Sequence, residues 1–456
     1  MSTNLAIAEL SPSGRDAGGV REVAWLASPV LVQMLSETLM QVASSAMVGR
    51  LGASELGGVG LGGIWLWTLV CPFVGAATGV SVFVSRAHGA GNARECGPWL
   101  WQGLAALIPG ALLWTVAVAW FFPILIGLVG PSPELEHHTL AYVTGRLAGL
   151  PAVAAGAAVT SFFRGLGNTR VPMVASMATV GLQAALAYAL IFGQLGLPAY
   201  GVTGAGIAFA IAEWVYAAIL LGFLFARGTR SHFATRPCAP DVGQIRRFLR
   251  TSAPVGGQWL LDMLSFALFS SIVARMGDAE MAASQAMIQL LSLSFMQAVA
   301  ISVSAGTLVG RYLGAGDPSA AARSYASAMK LAMVLAGIVA ALFLGAPEFL
   351  MRVFSSDAEV LSLARPLLLL GALFQVVDAI GIVAGGSLRG SGDTRWPFLV
   401  HATLAWAARL PFVWLLAVRL DGGVFGAWLG ELGYIALLGL VFVLRFRGGQ
   451  WRTMRP

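Results

Sequence analysis

Charged side chains are scarce in this sequence: Asp, Glu, Lys and Arg make up 11% of its 456 residues, while hydrophobic residues make up 57%. The mean hydropathy is +0.79, and this composition excludes an ordinary soluble globular domain. Hydrophobic runs such as residues 324–347 are long enough to cross a hydrocarbon core, which takes about 20 helical residues. Because the bilayer offers no water to the backbone, these runs are expected to be helices. The sequence therefore predicts an all-α polytopic membrane protein.

Cysteine is also rare, and several common signatures are missing. Cys71, Cys96 and Cys238 share no C-x-x-C spacing, so neither a disulfide framework nor a metal site is indicated. The first 22 residues are polar and lack a short apolar region followed by a cleavage site, so the first helix is expected to stay as a signal-anchor. The glycine spacing of GVGLGG (58–63) falls within a hydrophobic run, where close helix packing explains it better than nucleotide binding. We expect no cofactor, no nucleic-acid partner and no enzymatic activity.

The hydrophobic pattern predicts twelve spans. They lie near residues 23–49, 57–84, 98–128, 139–163, 171–195, 201–226, 251–275, 283–309, 324–347, 360–387, 397–418 and 423–444. Lys and Arg number 21 on the side of the membrane that holds both termini. The other side holds six: Arg50, Arg146, Arg275, Arg352, Arg365 and Arg419. This asymmetry places both termini in the cytoplasm.

The two halves of the chain repeat one another. RGLGNTRVP (164–172) matches RGSGDTRWP (389–397) at an offset of 225 residues. At the same offset, residues 28–39 match 253–264 and residues 84–92 match 309–317. Three matches at one offset indicate an internal duplication. Because each half holds six spans, the two copies enter the membrane from the same side, which predicts two six-helix bundles related by pseudo-two-fold symmetry.

The repeat and the charge pattern together predict the domain organisation. A cytoplasmic N-terminal segment (1–22) precedes a first lobe (23–226), a basic cytoplasmic linker (227–250), a second lobe (251–444) and a cytoplasmic tail (445–456). The linker holds the largest basic cluster of the chain, and a cytoplasmic loop that follows the positive-inside rule explains it. The sequence thus places the boundary between the lobes in this linker.

The matched R-G-x-G-x-T-R-x-P segments are expected to form cytoplasmic turns, because glycine allows one helix to end and proline starts the next. We expect structural or gating roles for five of their residues: Arg164, Gly165, Arg389, Gly390 and Asp393. The stretch GSGD (390–393) also fits the G-x-G-D pattern of intramembrane aspartyl proteases. Its repeat partner is GLGN, and it lies in a turn, so catalysis there is not expected.

Four segments carry a resemblance to a known family. VSRAHGAGN, FFRGLGNTRVP, LVGRYLGAGD and FQVVDAIGIVAGGSLRGSGDTRWP resemble signature segments of the multidrug and toxic compound extrusion (MATE) family of the MOP superfamily, with the NorM-like branch the nearest. The resemblance runs from about residue 23 to near the end of the chain. It implies a V-shaped pair of six-helix bundles that exports organic cations or amphipathic drugs in exchange for Na⁺ or H⁺.

That resemblance also shapes the expected setting. We expect a monomer in the lipid bilayer of the inner (plasma) membrane, with small-molecule drugs, cationic by this interpretation, as partners. A lipid-linked precursor flippase of the same superfamily is the alternative function. A flippase would be expected to have a more cationic cavity, suited to a pyrophosphate, and the acidic residues of the predicted spans speak against it.

Carboxylates within predicted spans are the strongest functional signal that the residues give by themselves. There are five: Glu37, Glu213, Asp262, Asp378 and Glu431. A charged group at this depth costs several kcal/mol unless it faces a cavity or a partner. Arg409 and Arg146 are the basic residues at similar depth that could pair with them. We expect Glu213 and Glu431 to have structural partners of this kind.

The resemblance implies roles for three of the acids. Asp378 matches an aspartate of the FQxxDA segment that takes part in cation coupling, and Asp262 stands where relatives carry a glutamate. Ser44 replaces an aspartate of many bacterial members, and Glu37, seven residues earlier, is our hypothesis for its substitute. We therefore expect cation coupling at Asp378, Asp262 and Glu37, with Na⁺ as a transient occupant of Asp262 and Asp378.

Substrate-binding residues are expected on the predicted helices that carry these acids and on the eighth helix. Gln285 matches a family glutamine near the substrate. Aromatic faces and polarizable thioethers accept varied apolar cations. The expected substrate-binding residues are Gln285, Gln258, Trp259, Met263 and Phe374.

Overall fold

The computed structural model describes residues 17–194, 196, 198–352 and 361–454. Most of the predicted N-terminal segment, the stretch 353–360 and the last two residues of the predicted tail therefore lie outside the described residues. Within the described ranges the regular structure is helical, without strands. Eleven of these helices are long and apolar enough to cross a membrane, and a bent pair brings the number to twelve. The predicted all-α architecture with twelve spans is confirmed.

We number the spans α1 to α12 in chain order. They are α1 (Val20–Val48), α2 (Ala53–Gly89), α3 (Cys96–Val129), α4 (Pro133–Leu147 with Leu150–Gly165), α5 (Arg170–Phe192), α6 (Gly201–Phe225), α7 (Val242–Ala274), α8 (Asp278–Gly314), α9 (Pro318–Gly345), α10 (Ala364–Gly390), α11 (Arg395–Arg419) and α12 (Gly423–Arg447). Two short helices, Arg227–Phe233 and Pro347–Arg352, lie outside the spans.

Two of the spans depart from a regular α-helix. The two parts of α4 meet at an angle of 53°, and Pro151 sits in the first turn of the second part, where its missing N–H is tolerated. In α11, two π-helical turns, Ala405–Arg409 and Leu415–Arg419, flank the short stretch Leu410–Trp414. Turns of the π type are rare and are found frequently at functional sites.

The described residues divide into two compact units. The first unit is Pro29–Gly256, and the second unit comprises residues 17–28 and 257–454. Both divisions fall inside helices and close to a proline, at Pro29 in α1 and just after Pro254 in α7. Proline removes a backbone hydrogen bond from a helix interior. The basic linker 227–250, in which the sequence placed the lobe boundary, lies within the first unit.

The second unit has an aromatic and aliphatic core contributed by α7, α8, α10 and α12. Its centre is Trp428, which is buried and meets Phe269 and Phe374 edge-on at ring distances of 5.2 and 5.7 Å. The indole Nε1 of Trp428 donates a hydrogen bond to Ser284 at 3.1 Å. Phe374, predicted from the sequence to bind substrate, is therefore part of this core.

The repeated turns show why their residue types recur. Gly167 and Gly392 have φ values of +81° and +91°, a left-handed conformation that favours glycine. Gly165 packs against Ser81 of α2 so closely that a Cβ would lie 3.1 Å from the Ser81 Cα. Asp393 accepts a hydrogen bond at 3.0 Å from Nε of Arg445 at the end of α12. These contacts are structural in kind.

Candidate functional site

Arg409 lies at the centre of an ionic cluster in the second unit. Its Nε and Nη2 donate to Oε2 and Oε1 of Glu431 at 2.7 and 2.6 Å, which is a bidentate pair. Its Nη1 donates to Oγ of Ser265 and to Oδ1 of Asp262, the latter at 3.3 Å. Arg409 and Glu431 are 2% and 3% exposed. Burial of this depth requires that each charge be paired, and the predicted partnering of Glu431 with Arg409 is confirmed.

His401 lies on α11, the helix that also carries Arg409, and belongs to the same cluster. Its Nε2 lies 3.3 Å from Oδ1 of Asp262 and 3.4 Å from the hydroxyl of Tyr434. Its Nδ1 lies 3.3 Å from Nε2 of Gln258. Gln258 and Asp262 are four residues apart on α7 and therefore share a face. Asp262 remains the most open member of the group, with 40% of its side chain exposed.

Asp378 lies on α10 and interacts electrostatically with Asp262 and Glu431. Within the part of the chain that the structure describes, its carboxylate makes no hydrogen bond or ion pair. Gln375, three residues earlier, is 3% exposed, and among the described residues neither its amide nitrogen nor its amide oxygen has a hydrogen-bond partner. We call Asp262, Asp378, Glu431, His401 and Arg409 the acidic cluster; with a neutral histidine it carries three negative charges and one positive charge.

Glu37 lies in the first unit in a different environment. Nε2 of Gln33 donates to Oε1 of Glu37 and to the hydroxyl of Tyr216, both at 3.0 Å. Nη2 of Arg164 donates to Oε1 of Gln33 at 2.9 Å, and the charge of Arg164 also acts on the carboxylate of Glu37. Tyr216 also bonds Thr160 of α4 at 2.8 Å. Glu37 itself is exposed.

Glu213 of the first unit forms an ion pair in which both side chains are partly buried. Its Oε1 accepts from Nη2 and Nε of Arg146 at 2.9 and 3.3 Å, which confirms the expected structural partnering. The guanidinium also lies 4.2 Å from the ring centre of Phe209. A cavity of about 280 Å³ borders the pair, and Gln41 and Trp67 line its other side.

The structure brings together some of the residues predicted from the sequence and separates others. Asp262, Asp378 and Gln258 lie in or beside the acidic cluster, whereas Glu37 belongs to the other unit. Gln285 is exposed on α8, and Trp259 and Met263 are partly buried on α7.

His401 was missed by sequence reasoning. Its signal was a histidine within a predicted span, eight residues before Arg409 and hence near the same helix face. Ser44, at the position where many bacterial members carry an aspartate, is fully buried, and its hydroxyl has no partner.

Comparison with known proteins gives a consistent picture. The MatE family model matches residues 29–189 and 254–415. The chain is 30% identical to the "Probable multidrug resistance protein NorM" of Thermotoga maritima over 439 residues, covering 94% of this chain and 93% of the relative. It is 29% identical to the "Multidrug resistance protein PmpM" of Pseudomonas aeruginosa, covering 96% and 93%.

Solved structures share the fold. The chain aligns with an outward-facing multidrug resistance MATE family transporter of the MOP superfamily with a TM-score of 0.88 at 18% identity, covering 98% of this chain and 100% of that one. It aligns with the eukaryotic MATE transporter AtDTX14 with a TM-score of 0.84 at 20% identity, covering 95% and 96%. The second match extends the likeness to a eukaryotic protein.

Proposed function

This chain belongs to the MatE family, and from that premise we propose a secondary active antiporter that exports organic cations or amphipathic drugs in exchange for Na⁺ or H⁺. Drug efflux transport by a multi-pass membrane protein follows from the family and its relatives. The coupling ion, the charge of the drug, the inner-membrane location, the cytoplasmic termini and the monomeric state are part of the proposal.

The excess negative charge of the acidic cluster is the observation that supports exchange. Three carboxylates face one arginine, and Asp378 has no ion-pair partner among the described residues. Asp378 therefore offers one carboxylate, without an ion-pair partner among the described residues, for which a small cation and an organic cation compete. Competition between them couples the two fluxes, because each ligand shifts the conformational populations only through its differential affinity for them.

The roles follow from position. In this proposal a cation exchanges at the carboxylate of Asp378. Asp262, which lies next to Arg409 and His401, adds its negative charge to the electric field at Asp378. Glu37 is the corresponding acid of the first unit, where it has a neutral amide as its hydrogen-bond partner. The part-open face of α7 near Asp262, with Trp259 and Met263, contacts the drug.

The test is efflux of ethidium, a fluorescent organic cation, from proteoliposomes under an imposed Na⁺ or H⁺ gradient. We expect one gradient to drive efflux in the wild type and expect Asp378→Asn to abolish it, because the amide cannot exchange charge. Asp421→Asn is the matched control, since Asp421 is exposed and outside the cluster, and asparagine tolerates its φ of +51°. It should transport like the wild type.

Two results would reject the proposal. If neither gradient moves ethidium, the protein is not such an antiporter, and the flippase alternative should then be tested with lipid-linked substrates. If Asp378→Asn transports at the wild-type rate, the acidic cluster is not the exchange site.

A further inference from the structure

We infer that Arg409 is a resident counter-cation of the acidic cluster and that it takes the place between Asp262 and Glu431 which a metal cation such as Na⁺ would otherwise occupy. The inference rests on the proposed antiport, in which Asp378 exchanges the cation, and it assigns to Asp262 and Glu431 a positive charge that the protein itself supplies.

The Arg409–Glu431 pair is permanent. Both carboxylate oxygens of Glu431 accept from the guanidinium, at 2.6 and 2.7 Å. Both side chains are 3% exposed, so separating them would leave two buried charges unpaired. Arginine stays charged at every accessible pH. The charge of Glu431 is therefore already balanced without an exchanging cation.

Asp262 also lies beside Arg409. Its Oδ1 lies 3.3 Å from Nη1 of Arg409 and 3.3 Å from Nε2 of His401. A Na⁺ ion held by Asp262 and Glu431 would stand at contact distance from the guanidinium, and like charges at that separation repel strongly in a partly buried site. Arg409 thus already supplies the positive charge that a bound ion would bring to this pair.

Asp378 is the carboxylate that this arrangement leaves available. The charges of Asp262 and Glu431 act on it, but within the described residues it makes no hydrogen bond or ion pair with Arg409. Gln375 lies one turn earlier on α10, on the same face, and both polar atoms of its amide are buried without a hydrogen-bond partner in the part of the chain that the structure describes. A carboxylate and an unused amide oxygen on one helix face are oxygen ligands of the kind that hard cations take.

Binding of radioactive Na⁺ to the purified full-length protein tests the inference without reference to transport. Glu37→Gln is included in every protein compared, so that the proposed acid of the first unit contributes no Na⁺ binding. Asp378→Asn then removes the exchanging site of the acidic cluster, and we expect no saturable Na⁺ binding in that variant. Adding Arg409→Gln should create Na⁺ binding, because Asp262 and Glu431 are then two carboxylates without a counter-cation. We expect the Na⁺ affinity of this variant to be at least about tenfold higher than that of its Asp378→Asn parent. A further Asp262→Asn replacement should abolish the new binding.

Two controls separate loss of charge from general disturbance. Arg409→Lys in the Asp378→Asn background keeps a cation and should bind no Na⁺. Arg146→Gln in the same background breaks the partly buried Arg146–Glu213 pair of the first unit. Any Na⁺ binding that it creates should be unaffected by Asp262→Asn. Where Arg409→Gln does not fold, the pair Arg409→Gln with Glu431→Gln avoids the isolated charge, and Asp262 should then bind Na⁺.

The inference is overturned if folded Arg409→Gln in the Asp378→Asn background binds no Na⁺. It is also overturned if Arg409→Gln with Glu431→Gln in that background binds no Na⁺. A third contrary result would be loss of Na⁺ binding on Asp262→Asn alone in the protein that retains Asp378. These outcomes differ from failure of the proposed function, which would appear as an absence of ion-driven ethidium efflux whatever the Na⁺ binding shows.

Discussion

Glu37 and Asp262 occupy corresponding positions of the two repeats, yet their immediate neighbours differ in charge. Glu37 accepts from the amide of Gln33, whereas Asp262 lies beside Arg409 and His401. A carboxylate whose hydrogen-bond partner is neutral can gain a proton or a cation without displacing a bound positive charge. In the proposed antiport we therefore expect Glu37 to bind a cation reversibly.

At this residue we predict that Glu37→Gln lowers ion-coupled ethidium efflux at least about tenfold, a barrier increase of about 1.4 kcal/mol. The amide keeps the shape and can still pair with Gln33, so folding should be preserved. Efflux from proteoliposomes measures the effect, and the unfolding temperature in detergent checks the fold. Full ion-coupled efflux in the variant would show that Glu37 does not substitute for the aspartate absent at Ser44.

At the scale of elements, the start of α9 depends on one carboxylate. Oδ1 of Asp317 accepts from the backbone N–H groups of Ser319 and Ala320 at 3.0 and 2.9 Å and from the Ser319 hydroxyl. These bonds, that of the Ser319 side chain foremost, hold the pKa of Asp317 below its ordinary value. Asp317 lies between two spans and is partly exposed, so solvent screening keeps its contribution modest.

We predict that Asp317→Ala destabilises the protein by about 1 kcal/mol at pH 7, because an N-cap is lost. Since the folded-state pKa is lowered, the contribution is fully present above the unfolded value of about 3.9 and is lost as pH falls through the folded value. Asp317→Asn should keep the cap and lose this pH dependence. Unfolding temperatures at pH 7 and at acid pH measure both effects; an equal loss in Asn and Ala variants at pH 7 would contradict the capping role.

Close packing of α8 and α10 depends on residues without side chains. A Cβ on Gly390 would collide with the backbone of Gly306, and one on Gly306 would lie 2.8 Å from the carbonyl oxygen of Gly386. In this segment glycine serves as a spacer that allows two helices to touch.

We therefore predict that Gly390→Ala destabilises the protein by about 1–3 kcal/mol, as overpacking does. Gly337→Ala in α9 is the control, because nothing lies within 4 Å of the added Cβ, and it should be neutral or stabilising by up to about 1 kcal/mol. Thermal unfolding in detergent compares the two variants. If both variants are equally stable, the α8–α10 contact accommodates an added methyl group without loss of stability.

At the scale of the whole molecule, orientation in the membrane can be tested with a native cysteine. Cys238 is exposed, and Cys71 and Cys96 are fully buried. Cys238 lies in the basic stretch that the positive-inside rule assigns to the cytoplasm. Labelling of the Cys238 thiol can therefore show on which side of the membrane that stretch lies.

We predict that a membrane-impermeant maleimide labels the protein in inside-out vesicles at least about tenfold faster than in right-side-out vesicles, since a charged reagent crosses the bilayer slowly. Cys238→Ser should abolish the labelling in both. Faster labelling in right-side-out vesicles would reverse the orientation and place both termini outside the cytoplasm.

The sequence by itself determined the membrane location, the number of spans, the repeat and the family. Each is a linear property: hydrophobic length, loop charge and a constant offset between matching segments can be counted along the chain. It also identified Arg146 and Arg409 as partners for buried acids, because few basic residues lie at that depth. The five carboxylates within the predicted spans were identified in the same way, because acidic residues are also few at that depth.

Only the tertiary structure decided which acid each arginine takes. That choice depends on how helices are rotated and packed, as when Arg409 of α11 meets Glu431 of α12 and Asp262 of α7. The π turn that ends at Arg409 changes the register of α11 by an amount that hydrophobic periodicity does not reveal. His401 lies beside Asp262 through the same packing, and Asp378 has no ion-pair partner among the described residues.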